Sequence, residues 1–417
     1  MKDYKEYFWQ NILPRVQKPT RYLGNEVNAV AKDHKESSMK IVLAFPDLYE
    51  IGMSHLGLKI LYHIVNQHNT WLAERVFMPD KDLEEILRQE DFPLCSLETV
   101  TPLADFDVVG FTLQYEMSYT TILHMLELGG IAKFAAERTE HDPLVAGGGP
   151  CGFNPEPLAD IFDFVIVGDA EEALPAVMSA LEEKTNSRQE KIRKLSAIQG
   201  VYVTAFYQAR FNEQGVYAGT YPVVEGISQQ VRRAVISDLN AAPYPTEFIV
   251  PYGGIVHDRL VLELFRGCTR GCRFCQAGII YRPVRERTPQ KLRELAGEMV
   301  RATGYDELAL SSLSSGDYSA IEQLVGELGS ELAKEGVSLS LPSLRLDSFS
   351  GELAEQVQRV RKSGLTFAPE AGTPRLRDVI NKNISEQGLL NAVTDAFSSG
   401  WTGGKLYFMI GLPPETD

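Results

Sequence analysis

Three cysteines, Cys268, Cys272 and Cys275, fall within eight residues in the run Phe265-Arg-Gly-Cys268-Thr-Arg-Gly-Cys272-Arg-Phe-Cys275. Three thiolates on a glycine-containing loop after a strand can wrap one corner of a metal cluster. Iron–sulfur clusters are held by Cys thiolates, usually four, so three local ligands leave one iron open to another group. A structural zinc site is the rival reading, but such sites are normally closed by four ligands. His257 could supply a fourth, yet it stands eleven residues before Cys268, across a predicted strand. Core cysteines fit poorly in a loop rich in arginine and glycine. The other two, Cys95 and Cys151, read as ordinary thiols, Cys151 being the closer to a site because it adjoins a glycine turn. Five cysteines, odd in number and sparse, do not make a disulfide framework.

The elements that must position this loop follow from composition and patterning. A chain of 417 residues, 44% hydrophobic and 23% charged, is too long for one ordinary domain and too apolar to be disordered or fibrous. No apolar run approaches the ~18–20 residues of a membrane span, and the start, MKDYKEYFWQNILPRVQKP, is not a secretory signal. These features predict a cytoplasmic protein with no membrane partner. The net charge of −15 argues against wholesale nucleic-acid coating. Strand patterns at 41–45, 75–78, 107–113, 143–146 and 162–167 alternate with helical ones from 55, at 81–88, 119–128 and 171–183. Such spacing implies βαβ crossovers and a doubly wound parallel sheet. Polar residues 184–200 read as a surface helix or linker, followed by short strands and a Pro/Gly-punctuated connector.

From about residue 259 the rhythm resumes. A strand at 259–265 ends on the cysteine loop, Thr288-Pro289 opens a helix, and Leu292, Leu295, Met299 and Val300 give it one apolar face up to Gly304. Further strands are predicted at 307–313, 337–346, 365–368 and 405–410, separated by helices around 318–335, 352–362 and 385–398. This repeat predicts a partial (β/α) barrel with its site at the strands' carboxyl ends. The end, Pro413-Pro414-Glu415-Thr416-Asp417, has a helix-start signature with no helix after it, so the barrel is expected to be cut short. The domains are therefore drawn as an N-terminal helical extension at 1–24, a Rossmann-like domain at 25–190, a β-rich connector at 191–254 and a barrel at 255–417.

The spacing C-x3-C-x2-C, with Phe274 just before the third cysteine, resembles the radical S-adenosylmethionine (radical SAM) superfamily. The resemblance implies a 4Fe–4S cluster on Cys268, Cys272 and Cys275, with S-adenosylmethionine chelating the open iron. One electron then cleaves the sulfonium to methionine and a 5′-deoxyadenosyl radical. It also implies an electron donor such as flavodoxin or ferredoxin. Residue by residue, Ser314, Ser315, Gly316 and Asp317 occupy the place of the loop near the methionine amino group, although the family's glycine-glycine-glutamate is absent. Ser343 and Arg345 end the third strand, where polar groups meet the ribose or the carboxylate. Glu370-Ala371-Gly372-Thr373 resembles the turn after the fourth strand, and Met409 and Gly411 lie in a segment like the adenine-side strand end. Each also reads as a turn or N-cap residue. Nine basic residues stand against three acidic ones over 266–301, a local island that could offer guanidinium forks to a carboxylate, the cluster or a phosphate.

A doubly wound domain ahead of such a barrel resembles the subclass with an N-terminal cobalamin (B12)-binding-like Rossmann domain. Its candidate edge loops are 46–57, 112–119 and 147–152. The cobalt-ligating D-x-H-x-x-G motif is absent, so the resemblance implies cobalamin without a protein histidine ligand, and His55 reads as a helix-start residue. Tight turns without a ligand remain the other reading. The function expected is radical modification of an unknown substrate, including cobalamin-dependent methyl transfer. An RNA-modifying methylthiotransferase-like enzyme, which would need a second set of cysteines, and a zinc-stabilised binding module are the alternatives.

Overall fold

The structure, a computed structural model, describes residues 4–183, 187–341, 365–398 and 400–416. The chain divides into two compact units, one of residues 1–236, 242–245 and 249–258, the other of 237–241, 246–248 and 259–417.

In the first unit β1 (Met39–Phe45), β2 (Trp71–Phe77), β3 (Val108–Thr112), β4 (Leu144–Gly148), β5 (Phe164–Ile166) and β6 (Val201–Val203) form one sheet in the order β2-β1-β3-β4-β5-β6. The first five strands are parallel and β6 is antiparallel to β5. Helices α1 (Leu56–Gln67), α2 (Lys81–Gln89), α3 (Tyr119–Leu128), α4 (Ala170–Glu182) and α5 (Arg188–Leu195) connect them. Alternation along each strand divides the apolar residues between two faces, as crossovers with helices on both sides require. Val42, Ala44, Val109 and Val145 pack with Leu83 and Leu87 of α2 and Ile122 of α3. Ile41, Leu43, Val108 and Phe164 pack with Leu58 and Val65 of α1 and Val177 of α4. Residues 4–24 contribute short helical turns, and Phe8, Ile12, Leu13 and Val16 of this stretch belong to the first of these cores.

Two features lie outside the sequence expectation. The second strand is longer than 75–78 because Glu74 and Arg75, both fully buried, interrupt its apolar pattern. Arg75 is neutralised by Glu98 at 2.6 Å and Glu26 at 2.8 Å, and Glu74 lies 2.7 Å from His34. The boundary at 190 cuts through α5, and β6 belongs to the sheet rather than to a connector. Asp163, buried at the start of β5, is the reason. It accepts from Arg138 at 2.9 Å, from Arg188 of α5 at 2.8 Å and from the Val145 amide of β4 at 2.7 Å. Beyond β6 comes a hairpin of β7 (Tyr207–Phe211) and β8 (Tyr217–Pro222).

In the second unit β9 (Leu260–Glu263) leads to β10 (Phe265–Arg266), which pairs antiparallel with β11 (Arg285–Glu286). Helix α6 (Pro289–Thr303) begins as expected: the Thr288 hydroxyl accepts from the Lys291 amide, Pro289 is the first residue, and Gly304 ends it at φ +73°. Strand β12 (Glu307–Ser311), α7 (Ile321–Lys334) and β13 (Ser338–Ser340) follow, giving a parallel sheet in the order β13-β12-β9. Then β14 (Leu365–Glu370), α8 (Pro374–Val379), α9 (Glu386–Ser398) and β15 (Gly404–Phe408) form a second parallel pair of strands with their helices. Both units follow the α/β pattern expected, a doubly wound sheet and a partial barrel. The rest of the third predicted strand and the helix expected at 352–362 lie outside the described residues. Among those described, no helix is long and apolar enough to cross a membrane.

Replacing Asp163 with Ala leaves two buried guanidinium groups without their carboxylate. Breaking a buried ion pair from one side costs about 3–5 kcal/mol. Urea unfolding should show that loss, with Leu83→Ala as a reference for simple core truncation.

Candidate active site on the three-cysteine loop

The three cysteines follow β10 on a loop that ends in the helical turn Ala277–Ile280, and all three are free and half-buried. With no strand or helix of its own, the loop is held by its neighbours. Gly267 enters it at φ +101°, where a Cβ would stand 2.7 Å from the Pro283 carbonyl oxygen and 2.8 Å from that of Tyr281. Those two carbonyls also accept from Arg285, at 3.1 and 3.2 Å. On the far side, the Arg273 amide donates to the Ile380 carbonyl at 2.9 Å and its guanidinium to that of Val379. Asn381 Nδ2 donates to the Gly271 carbonyl at 2.9 Å, and the Cys275 amide to that of Cys272 at 3.1 Å. Among the described residues, no three His, Cys, Asp or Glu side chains converge on a point that could hold a single metal ion. The donor set, three free thiols on one braced loop, suits a cluster that brings its own inorganic core.

The residues singled out from the sequence lie in several places. Phe274 is exposed, with Lys382 Nζ 5.9 Å from its ring centre. Ser314 and Ser315 are buried after β12; Ser315 shares a hydrogen bond with Ser312 at 3.0 Å, whereas Ser314 Oγ has no protein partner. Such an orphaned hydroxyl suits a ligand's polar group. Gly316 lies in the turn Ser315–Asp317, and Asp317 is gripped by Arg270 of the cysteine loop, Nε to Oδ2 at 2.7 Å. Asp317 is thus a brace of that loop. Glu370 ends β14 at φ +69°, accepts from the Met409 amide at 2.8 Å and pairs with Lys382 at 3.2 Å. Thr373 caps α8, the plainer of its two readings. Gly411 donates its amide to Glu415 at 2.7 Å. Ser343 and Arg345 lie outside the described residues.

The basic island is largely engaged with the protein itself. Arg266 pairs with Glu263, Arg270 with Asp317, Arg287 with Glu263 and Arg293 with Glu327 and Glu331. Sequence reasoning missed Asn381, Lys382 and the 378–380 carbonyls, which lie more than a hundred residues from the cysteines and carry no motif.

In the first unit, the sheet order reverses between β1 and β3, and ligands in such sheets bind outside the carboxyl ends at this switch point. Ile51, Tyr115 and Met117 are exposed there on the loops following β1 and β3. His55 is committed elsewhere: its Nδ1 accepts from the Leu58 amide at 3.1 Å, capping α1, and its ring packs 5.4 Å from that of Phe45. Burial pushes its pKa down to about 4, with nearby Lys59 acting in the same direction and a hydrogen bond with Gln114 opposing. It is a helix-start residue, as the sequence suggested.

Two outcomes follow. Gly267→Ala combines a backbone strain of about 1–3 kcal/mol with a Cβ that must displace two carbonyls. Anaerobic reconstitution should then fall from about four iron per chain to less than half the wild-type content. His55 is neutral in the folded state down to about pH 4 and titrates near 6.5 when unfolded, so the unfolded chain binds more protons between these values. Its contribution to stability is full above about pH 6.5 and falls as the pH drops towards 4. His55→Asn, which keeps a capping side chain, should flatten the pH dependence of the denaturation midpoint across that window.

Residues 57–204 match the family model described as radical SAM proteins, N-terminal, and residues 262–417 that of the radical SAM superfamily. An uncharacterized protein of Methanocaldococcus jannaschii is 28% identical over 378 residues, which cover 90% of this chain and 70% of that one. An uncharacterized methyltransferase of Pyrococcus horikoshii is 23% identical over 336 residues, covering 78% and 65%. Among solved structures, the cobalamin-dependent S-adenosylmethionine radical enzyme OxsB with aqua-cobalamin bound has a TM-score of 0.55 at 13% identity, covering 90% of this chain and 50% of that chain. The radical S-adenosylmethionine methyltransferase TsrM from Kitasatospora setae, with tryptophan substrate and a SAM analogue bound, has a TM-score of 0.57 at 14% identity, covering 90% and 68%. At these identities the likeness to solved structures is one of fold, and the chain spans half the length of OxsB. Two superfamily domains in succession, the first over most of the doubly wound sheet and the second over the cysteine-bearing barrel, place the chain in the radical SAM superfamily of iron–sulfur enzymes.

Proposed function

We propose that the chain is a cobalamin-dependent radical SAM methyltransferase. The observation that carries this reading is the β2-β1-β3-β4-β5 order of the first sheet, with its switch point and exposed rim, ahead of the braced three-thiol loop. The likeness to the Pyrococcus methyltransferase, to OxsB and to TsrM supports it.

Cys268, Cys272 and Cys275 would hold a 4Fe–4S cluster, which supplies one electron to the sulfonium of S-adenosylmethionine and yields methionine and a 5′-deoxyadenosyl radical. Arg273, Asn381 and Gly267 keep the thiol loop in register. Ser314 offers an unused hydroxyl to a polar group of the cosubstrate, and Asp317, through Arg270, holds the facing side of the loop. The electron comes from a low-potential donor of the flavodoxin or ferredoxin type. Loops 46–57, 112–119 and 147–152 would cradle cobalamin, with Ile51, Tyr115 and Met117 giving apolar contact to a large planar group. His55 caps α1 instead of reaching cobalt.

Methyl transfer from S-adenosylmethionine must leave S-adenosylhomocysteine, and reductive cleavage must leave 5′-deoxyadenosine. Anaerobically reconstituted protein, incubated with hydroxocobalamin, methyl-labelled S-adenosylmethionine and a strong reductant, should co-elute with the corrinoid and form both products. Cys272→Ala should abolish 5′-deoxyadenosine and retain the corrinoid. Zinc without sulfide, or unchanged 5′-deoxyadenosine from Cys272→Ala, overturns the cluster assignment. Failure to retain the corrinoid overturns the cobalamin part alone.

A further inference from the structure

Arg377 is only 3% exposed, yet only one nitrogen of its guanidinium is satisfied. Nη1 donates to the carbonyls of Ala371 at 3.0 Å and Gly372 at 3.3 Å, while Nε and Nη2 have no partner. No carboxylate pairs with Arg377 among the described residues. A buried cation left in this state costs several kcal/mol unless something completes it.

The geometry of the unmet pair says what completes it. Nε–H and Nη2–H point the same way and form the side-on fork that matches two oxygens of one carboxylate or phosphate. Among the described residues of this unit the same fork is filled three times by a carboxylate and once, at Arg285, by two backbone carbonyls. Arg266 grips Glu263 at 3.1 Å through both nitrogens, Arg270 grips Asp317, and Arg293 grips Glu331. Arg377 presents the identical arrangement without the acid. Glu370, beginning the same turn, is held at φ +69°. Strained residues of this kind cluster at ligand clamps. Residues 378–381, directly after Arg377, are those that brace the cysteine loop.

We propose that Arg377 is an anion receptor beside the cysteine loop, taking one carboxylate or phosphate through Nε and Nη2. The acid belongs either to the methionine part of S-adenosylmethionine or to the substrate; the first source rests on the function proposed above and the second does not. The test compares reconstituted wild type with Arg377→Met and with Arg377→Lys, which keeps the charge and loses the fork. The probes are S-adenosylmethionine, its decarboxylated analogue and inorganic phosphate.

If the cosubstrate supplies the acid, both variants bind S-adenosylmethionine about tenfold more weakly, as loss of a charge-assisted pair predicts, and bind the decarboxylated analogue as wild type does. If the substrate supplies it, affinity for S-adenosylmethionine is unchanged and phosphate raises the melting temperature of wild type but of neither variant. In both cases Arg377→Met, free of ligand, is at least as stable as wild type. If no probe separates the variants from wild type, Arg377 only props the Ala371-Gly372 turn and the proposal falls. Iron content and 5′-deoxyadenosine formation by wild type, read in the same preparations, separate that result from failure of the radical SAM reading.

Discussion

A loop carrying three thiols has no hydrogen-bond ladder of its own, so its shape must be imposed from outside. Here the constraint is the capture of main-chain groups by distant partners. Asn381 holds the Gly271 carbonyl, Arg273 reaches the carbonyls that end α8, and Gly267 turns where a side chain would strike two carbonyls. The described elements around the loop support this arrangement. Strands β9 and β12 set the start of the loop and the facing segment, the Arg270–Asp317 pair ties the two together, and α8 supplies the acceptors. The thiols themselves are left half-buried and unbonded to one another, the condition a ligand set must meet before its cluster arrives.

The first unit meets a different constraint, the burial of charge within a sheet covered on both faces. Arg75 on β2 is enclosed by Glu26 and Glu98, and Asp163, just before β5, by Arg138 and Arg188. Each cluster joins segments far apart in sequence: Glu26 from the N-terminal stretch, Arg188 from the helix leading to β6. Buried pairs of this type add little net stability compared with apolar residues, but they penalise any pairing that separates them. Their position accounts for the way residues before β1 are held against the sheet and β6, after α4, is drawn into it.

What was legible in the sequence had a local cause. Apolar runs with helical spacing between them marked the parallel sheet. Thr288-Pro289 and Gly304 framed α6 because cap chemistry acts over three or four residues. The cysteines announced themselves by spacing alone. What was hidden depended on contacts across long separations. Glu74 and Arg75 broke the apolar pattern of β2, and their neutralising partners lie on other segments. Arg188 looked like a surface residue because its neighbours in sequence are polar, and Asp163, which buries it, is 25 positions away. Asp317, placed by the resemblance near the methionine amino group, also pairs with Arg270, a contact that its neighbours in sequence do not announce. The arginines after the cluster looked like a reserve of free positive charge, although most answer carboxylates or carbonyls of the protein.

The reversed direction of β6 has a practical side. Because Val203 stands beside Phe164, the chain leaves the sheet at the amino ends of the parallel strands and returns to the other margin only when Ala234 bridges to Gly168. The intervening stretch includes the exposed hairpin turn 212–216, whose Asn212 amide bonds the Val216 carbonyl. The sheet is closed off before this excursion begins and takes no hydrogen bond from its tip. A fluorophore or affinity handle grafted there would report on the first unit from outside its ladder, giving the protein a site for immobilisation that spares the switch-point loops.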